Sequence, residues 1–386
     1  LHKPYTLRFQ DIPGQNVLAE RFAQLHQTDR LPHTMLLAGQ NGYGALGMAL
    51  SLAQFITCAD PDKDACGVCK SCRLNQKFTH PDLHFAFPFF SNKKEHKETC
   101  NDFLPEWRSM LTKHPYFDVS EWLISLGGDN KQGNINAKEI SNINAKMSLK
   151  SFGGGRKVLI IWMAEYLGSE GNKLLKLIEE PPENTFIILV AENTERVLST
   201  ILSRCQLFPI QRVSDDSIRL FLKMREESEG QDIDTIVRLA DGHLNTAIRL
   251  CEDVDDQLSV IFKKWMQCCF IGNGVETMKF INDNGSIGRE SQKAFVKYGL
   301  HFYGEYMKYF AIGDADMLRL TNPERVSVQK LRNKLDFENL EKIIAELEHM
   351  TIAVERNANY KMLLLSATIK IHHYFRSSYT TSAKAG

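Results

Sequence analysis

"GQNGYGALGMAL", residues 39–50, follows the apolar run "TMLLAG" (34–39), and its reading decides the fold. A β-rich run, a glycine-rich turn and a helical stretch, in that order, form the layout of a phosphate-binding loop, G-x-x-x-x-G-K-[ST]. Gly39 and Gly44 supply the two glycines, but Ala45 stands where the lysine belongs and Leu46 where the hydroxyl belongs. In a working loop the lysine neutralises β- and γ-phosphate charge and the hydroxyl holds Mg²⁺. Ala45 and Leu46 do neither. Backbone N–H groups from Gly42 to Gly44 can still meet an anion at the start of a helix. The stretch therefore predicts a nucleotide cradle that has lost hydrolysis.

Outward from it, "TMLLAG", residues 44–57, "LHFAFP", 136–149, "KVLIIWM", 170–180, "TFIILVA" and "QLFPI" alternate between β-rich runs and helical stretches. Such alternation predicts an α/β domain over 1–210, a parallel sheet with helices on both faces. Polar runs such as "SNKKEHKETC" and "GGDNKQGN" break the rhythm at about 85–132, which reads as an insertion with its own helices and a surface loop. In a working ATP site a later strand ends in acidic residues that coordinate the metal. Here the strand "KVLII" (157–161) ends in Trp162 and Met163. Two independent parts of one site are thus missing.

After "PIQRVSDD" the β-rich runs stop. Ser214 is placed to cap a helix with Ile218, Leu220 and Leu222 on its apolar face, opening a small helical domain over 211–252. Phe337, Leu340, Ile343, Ile344, Leu347 and Met350 recur at helical spacing, and "YKMLLLSATIKIHHYF" continues the pattern. Residues 253–376 are read as an all-helical domain and 377–386 as a flexible tail. The aromatic stretch "HFYGEYMKYF" (301–310) reads as helix core rather than a base-stacking platform.

Charge narrows the function. The 386 residues carry 47 Lys+Arg against 47 Asp+Glu, so no chain-wide field draws them onto nucleic acid or an anionic membrane. Residues 251–386 hold 18 basic and 17 acidic side chains, which rules out a basic arm. The longest apolar runs fall short of the ~18 residues a membrane helix needs. "LHKPYTLRFQDI" lacks the layout of a secretory signal, and a cytoplasmic protein with no membrane partner is expected.

Four of nine cysteines, Cys58, Cys66, Cys69 and Cys72, are spaced C-x7-C-x2-C-x2-C. An odd total argues against a disulfide framework. Four soft sulfur donors this close can close a tetrahedron around structural Zn²⁺, leaving no open position for water. A redox pair or an iron–sulfur cluster would use the same residues, but no thioredoxin-like setting surrounds them. His80 and His84 are read as packing or surface residues.

Taken together, "FQDIPGQNVLAERFAQLHQTDRLPHTMLLAGQNGYG" (9–44), the cysteine cluster, "HPDL" (80–83), "GNKLLKLIEEPPENTFIILV" (171–190) and "TILSRC" (200–205) resemble the bacterial DNA polymerase III clamp loader family. "ERNANYKMLLLSATIKI" (355–371) resembles the same family's collar domain. The resemblance covers nearly the whole chain except 85–132. It implies an AAA+ domain with a zinc module, a helical lid and an oligomerising collar. It also implies work beside gamma/tau ATPase subunits and a delta subunit, acting on a beta sliding clamp and primer-template DNA. Within that family the chain is similar to the delta-prime type, whose nucleotide site is decayed. In the ATPases a lid-helix arginine senses the γ-phosphate, where "GHLNTA" here places Asn245. Glu192 and Asn193 stand where Thr and Asp are usual, and a carboxylate beside a triphosphate repels it. ATP is therefore not expected to bind productively.

One element survives. By the resemblance, Arg204 in "SRC" points across a subunit boundary as an arginine finger, with Ser203 and Cys205 positioning its loop. A guanidinium is always charged and binds phosphate oxygens in pairs. An isolated tripeptide would otherwise read as a surface arginine pairing with a carboxylate. Two other functions use the same features: a divergent gamma/tau-like ATPase, and a zinc-dependent DNA-binding module on an AAA+ scaffold.

Overall fold

The computed structural model describes residues 7–91, 97–127, 133–152, 155–225, 228, 233–251, 256–332 and 334–382. Residues 92–96 of "SNKKEHKETC" and 128–132 of "GGDNKQGN" therefore lie outside the described residues. The chain divides into two compact units, one within Leu1–Ile233 and Gly242–Ile248, the other within Asp234–Asp241 and Arg249–Gly386.

In chain order the first stretch holds α1 (Asn16–Gln27), β1 (Thr34–Ala38), α2 (Ala45–Thr57), α3 (Lys70–Gln76) and β2 (Leu83–Ala86). Next come α4 (Leu104–Lys113), α5 (Val119–Ser125), α6 (Ala137–Ser148), β3 (Lys157–Trp162), α7 (Leu175–Glu179) and β4 (Thr185–Ala191). Then follow α8 (Ser199–Leu202), β5 (Gln206–Pro209), α9 (Asp215–Lys223), α10 (Ile233–Ala240) and α11 (Leu244–Cys251).

The five strands form one sheet in the order β2-β3-β4-β1-β5. Every pairing is parallel, with Leu36 beside Leu189 on one side and Leu207 on the other. All residues of β3 and β4 are buried, which is why they read as unbroken apolar runs: both faces of the sheet are covered. The expected parallel α/β class is present. Connections from β1 and from β4 leave in opposite directions across the sheet, so the loop at the carboxyl end of β1 sits at a switch point. Helix α2, apolar on almost every side, packs on β1, β3 and β4.

Two local readings change. The helix expected over 170–180 is 3-10 turns across Ala164–Leu174, kinked at Gly168 (φ 53°, ψ −154°), followed by the short α7. In α9, Ser214 caps as expected, its Oγ accepting the Ser217 N–H at 3.2 Å. Its buried face, however, is Ile218, Phe221 and Leu222, and Leu220 is 63% exposed. At 100° per residue, Leu220 lies about 200° around the helix from Ile218.

The second unit contains α12 (Asp256–Ile271), α13 (Gly274–Asn284), α14 (Arg289–Ile312), α15 (Asn322–Leu331), α16 (Phe337–Glu355) and α17 (Tyr360–Ser382). Leu340, Ile343, Leu347, Met350 and Val354 form the buried stripe of α16 against α14 and α17, while Phe337 at its start stays exposed. Phe302, Tyr303, Tyr306 and Tyr309 are buried in the same core, so their ring faces are not offered to bases. Helix α17 runs to Ser382, beyond the 376 at which a tail was expected. Ser378 is the reason: buried, its Oγ accepts the Asn339 side-chain N–H at 2.9 Å. Among the described residues no helix is long and apolar enough to cross a membrane.

Candidate functional site

The loop after β1 needs its glycines. Gly44 caps α2 at φ 94° and Gly42 sits at φ 82°, both left-handed. A Cβ on Gly42 would lie 2.2 Å from Asn245 Oδ1, and one on Gly39 2.6 Å from Ile210 Cβ. The loop is tied down from outside. The Leu244 N–H donates to the Gly42 carbonyl at 2.8 Å, and the Asn245 side-chain N–H donates to Asn41 Oδ1 at 2.8 Å. Buried Gln15 donates to the carbonyls of Tyr43 (3.2 Å) and Gln211 (2.7 Å). Asn245, read from the sequence as the residue at the place of a phosphate-sensing arginine, braces the loop.

A pocket of about 30 Å³ remains beside it, lined by Gly39, Gly42, Ala45, Leu46, Tyr116, Trp162 and Glu192 among others. Nothing in that lining supplies the positive charge or the metal-holding hydroxyl that a bound triphosphate needs. The structure thus brings together the loop, Trp162 and Glu192, three parts read separately from sequence. Met163, buried at φ 60°, and Asn193, whose side chain accepts the Glu195 N–H at 2.9 Å, lie outside the lining. Two contributors were not anticipated. Glu165 accepts the N–H groups of Glu192 (3.0 Å) and Asn193 (3.2 Å), holding the turn after β4, and burial pushes its carboxyl above the usual range. Pro115, Tyr116 and Phe117 come from the insertion. No short motif marks any of the four.

The cysteine cluster is assembled. One Sγ from each of Cys58, Cys66, Cys69 and Cys72 lies within 4.8 Å of the others, and the Cys66 and Cys72 sulfurs are 3.9 Å apart. Two sulfurs at about 2.3 Å from a tetrahedral zinc would be ~3.8 Å apart, so the donor set fits that ion. N–H groups of Cys66, Cys69 and Cys72 point at the sulfurs of Cys58 (3.3 Å), Cys66 (3.4 Å) and Cys69 (3.4 Å). Backbone N–H groups of Val68 and Cys69 bring the Cys66 thiol down to about 6, whereas burial pushes Cys72 up. Asp64 ties the module to the chain start, accepting the N–H groups of Phe9 (3.1 Å) and Gln10 (3.3 Å).

Arg204 lies on the surface just before β5, an edge strand. Its guanidinium pairs with Glu179 at the end of α7 and donates to the Thr200 carbonyl (2.9 Å) and Ser203 Oγ (3.2 Å). Burial pushes the Cys205 thiol up to about 12, which removes it as a nucleophile at neutral pH.

A parallel-sheet α/β domain with a glycine-rich loop stripped of lysine and hydroxyl, beside a four-cysteine module, defines the class. The family described as "DNA polymerase III, delta subunit" matches residues 14–214, and the chain belongs to it. Relatives include the DNA polymerase III subunit delta' of Bacillus subtilis, 28% identical over 50% of this chain and 46% of that protein. The subunit delta' of Escherichia coli is 23% identical over 92% of this chain and 94% of its own length. A DNA polymerase III subunit gamma of Buchnera aphidicola is 25% identical over 75% of both chains. The chain spans about half the length of the Bacillus protein and of its Haemophilus influenzae counterpart. Among solved structures, a DNA polymerase III gamma subunit-related protein of Thermotoga maritima aligns with a TM-score of 0.40 at 15% identity, over 92% of this chain and 99% of that one.

Proposed function

We propose that the chain is a delta-prime-like clamp-loader subunit that hydrolyses no ATP itself. It works in the cytoplasm with gamma/tau-type ATPase subunits and a delta subunit. Arg204 is lent to a neighbour's ATP site while the complex opens a beta sliding clamp and places it on primer-template DNA. The observation that carries this reading is the lining of the pocket at the loop, with Ala45 and Trp162 where a lysine and an acid pair would be needed. Arg204 suits the role it is given. Its pairing with Glu179 is solvent-exposed, and such pairs are worth only about 0–1 kcal/mol, so a phosphate can displace the carboxylate. A guanidinium supplied in trans is worth ~10³–10⁵ in rate in GTPases. Ser203 holds the loop through its bonds to Arg204 and the Thr200 carbonyl. The four cysteines are assigned a structural zinc, which when bound would offset half of the thiolate charge and fix the turn between α2 and α3.

The test is reconstitution. The chain alone should turn over no Mg-ATP. Arg204→Ala should leave the complex assembled yet remove the DNA-stimulated turnover of the one site that Arg204 completes. An unchanged rate in a normally assembled complex would remove the assignment. The relationship to gamma supports a second reading, a divergent ATPase; turnover by the isolated chain, lost on Gly44→Ala, would favour it.

A further inference from the structure

Pro115, Tyr116 and Phe117, from within the insertion, line the loop's pocket. Tyr116, 2% exposed, lays its ring over the first turn of α2: the Cβ positions on Gly44 and Gly47 lie 3.6 Å and 3.3 Å from Tyr116 Cε1. Pro115 flanks it, 3.6 Å from the Cβ position on Gly47. On the other side the ring meets Phe221 of α9 edge-on, with centroids 5.6 Å apart. Phe117 is anchored edge-on between Trp107 (5.5 Å) and Trp162 (5.3 Å). Trp107 in turn stacks on Phe87 at 4.3 Å and meets Trp122 at 5.1 Å. Trp162 is therefore one tile of a buried aromatic cluster built mainly by the insertion and β3, not an isolated replacement of an acid.

The helix turn under Tyr116 is where a phosphate would meet backbone N–H groups. The Tyr116 ring packs against that turn and walls the pocket beside those donors, and its negative face and apolar body oppose a partly dehydrated anion there. We propose that Pro115–Phe117 is a built-in stopper, with Tyr116 as the residue that keeps nucleotide off the loop. Loss of the lysine and the hydroxyl is then not the only barrier to ATP; the insertion adds a second, so that restoring the lysine alone does not restore binding. This rests on reading Gly39–Leu46 as a former nucleotide cradle, and it assigns the insertion the role of occupying that cradle.

Four full-length proteins test it: wild type, Ala45→Lys, Tyr116→Ala and the double variant, each titrated with a fluorescent ATP analogue and Mg²⁺ after circular dichroism shows native folding. Wild type and Ala45→Lys should show no saturable binding, and the double variant should bind at least on the order of tenfold tighter than Ala45→Lys. The stopper is overturned if Ala45→Lys binds as well as the double variant, or if the folded double variant binds no better than wild type. Saturable binding by wild type would sink both the stopper and the reading of the cradle as retired. Hydrogen exchange on wild type covers the case of a variant that does not fold. The Tyr116 and Phe117 amides should exchange as slowly as those of β3 and be unchanged by Mg-ATP. Exchange at open-loop rates, or new protection over residues 39–47, would count against the stopper.

Discussion

His84 on β2 shows how much one side chain can set acid stability. Burial is the largest cause of its fall to about 4 from the ordinary 6.5, with the charges of Lys146 and Lys157 adding to it and Asp82 opposing. The folded chain holds the ring neutral, while the unfolded chain takes up a proton below about 6.5. Its contribution is therefore complete above pH 6.5 and is lost as pH falls toward 4. A difference of this size corresponds to about 3 kcal/mol. Urea midpoints measured between pH 7 and pH 4 should decline in wild type, and His84→Leu should flatten that decline. Equal slopes in the two proteins would mean that His84 is solvated. Cys205, pushed up to about 12 by burial, illustrates the same rule for a thiol: it stays protonated and inert at neutral pH.

At the scale of elements, the strands were legible because the sheet is covered on both faces. "KVLII" and "TFIILV" are unbroken apolar runs, and β3 and β4 occupy nearly those residues. Helix α16 was legible from its three- and four-residue spacing. The parts of the site tied to a motif, Ala45, Trp162, Glu192 and Asn245, were legible for the same reason: each stands at a fixed place relative to a strand end or helix start. Tyr116 was not, because its contact with α2 joins residues far apart in sequence and leaves no local period. Trp107 stands at helical spacing from Phe103 and Leu111, but the pattern is short and polar flanks dominated the reading of a segment whose aromatics are buried. The Trp122 indole N–H donates to the Pro88 carbonyl at 2.7 Å, fastening α5 beside the end of β2. Trp122→Phe keeps a ring but strands that carbonyl, which should cost about 1–3 kcal/mol in chemical denaturation. A change within error would mean that α5 is held by ring packing alone.

At the scale of the whole molecule, each compact unit has its own core, one around Phe22, Ile160 and Trp107, the other around Trp265, Tyr303 and Leu340. The cysteine cluster belongs to the first, where Cys58 caps the end of α2 and Cys69 the start of α3. A metal that binds only the folded arrangement adds its binding free energy to the folding of the unit that holds it. Calorimetry should therefore resolve two transitions, with stripping of zinc by a chelator lowering one and sparing the other. A loss of several kcal/mol from a unit of this size corresponds to roughly 10 °C. Cys72→Ala should reproduce the shift without chelator, because Cys72 is fully buried and no water can replace its sulfur. Metal analysis should return one zinc per chain. If both transitions move together on chelation the cluster is not confined to one unit's stability, and if neither moves in protein shown to carry zinc, the ion is not structural.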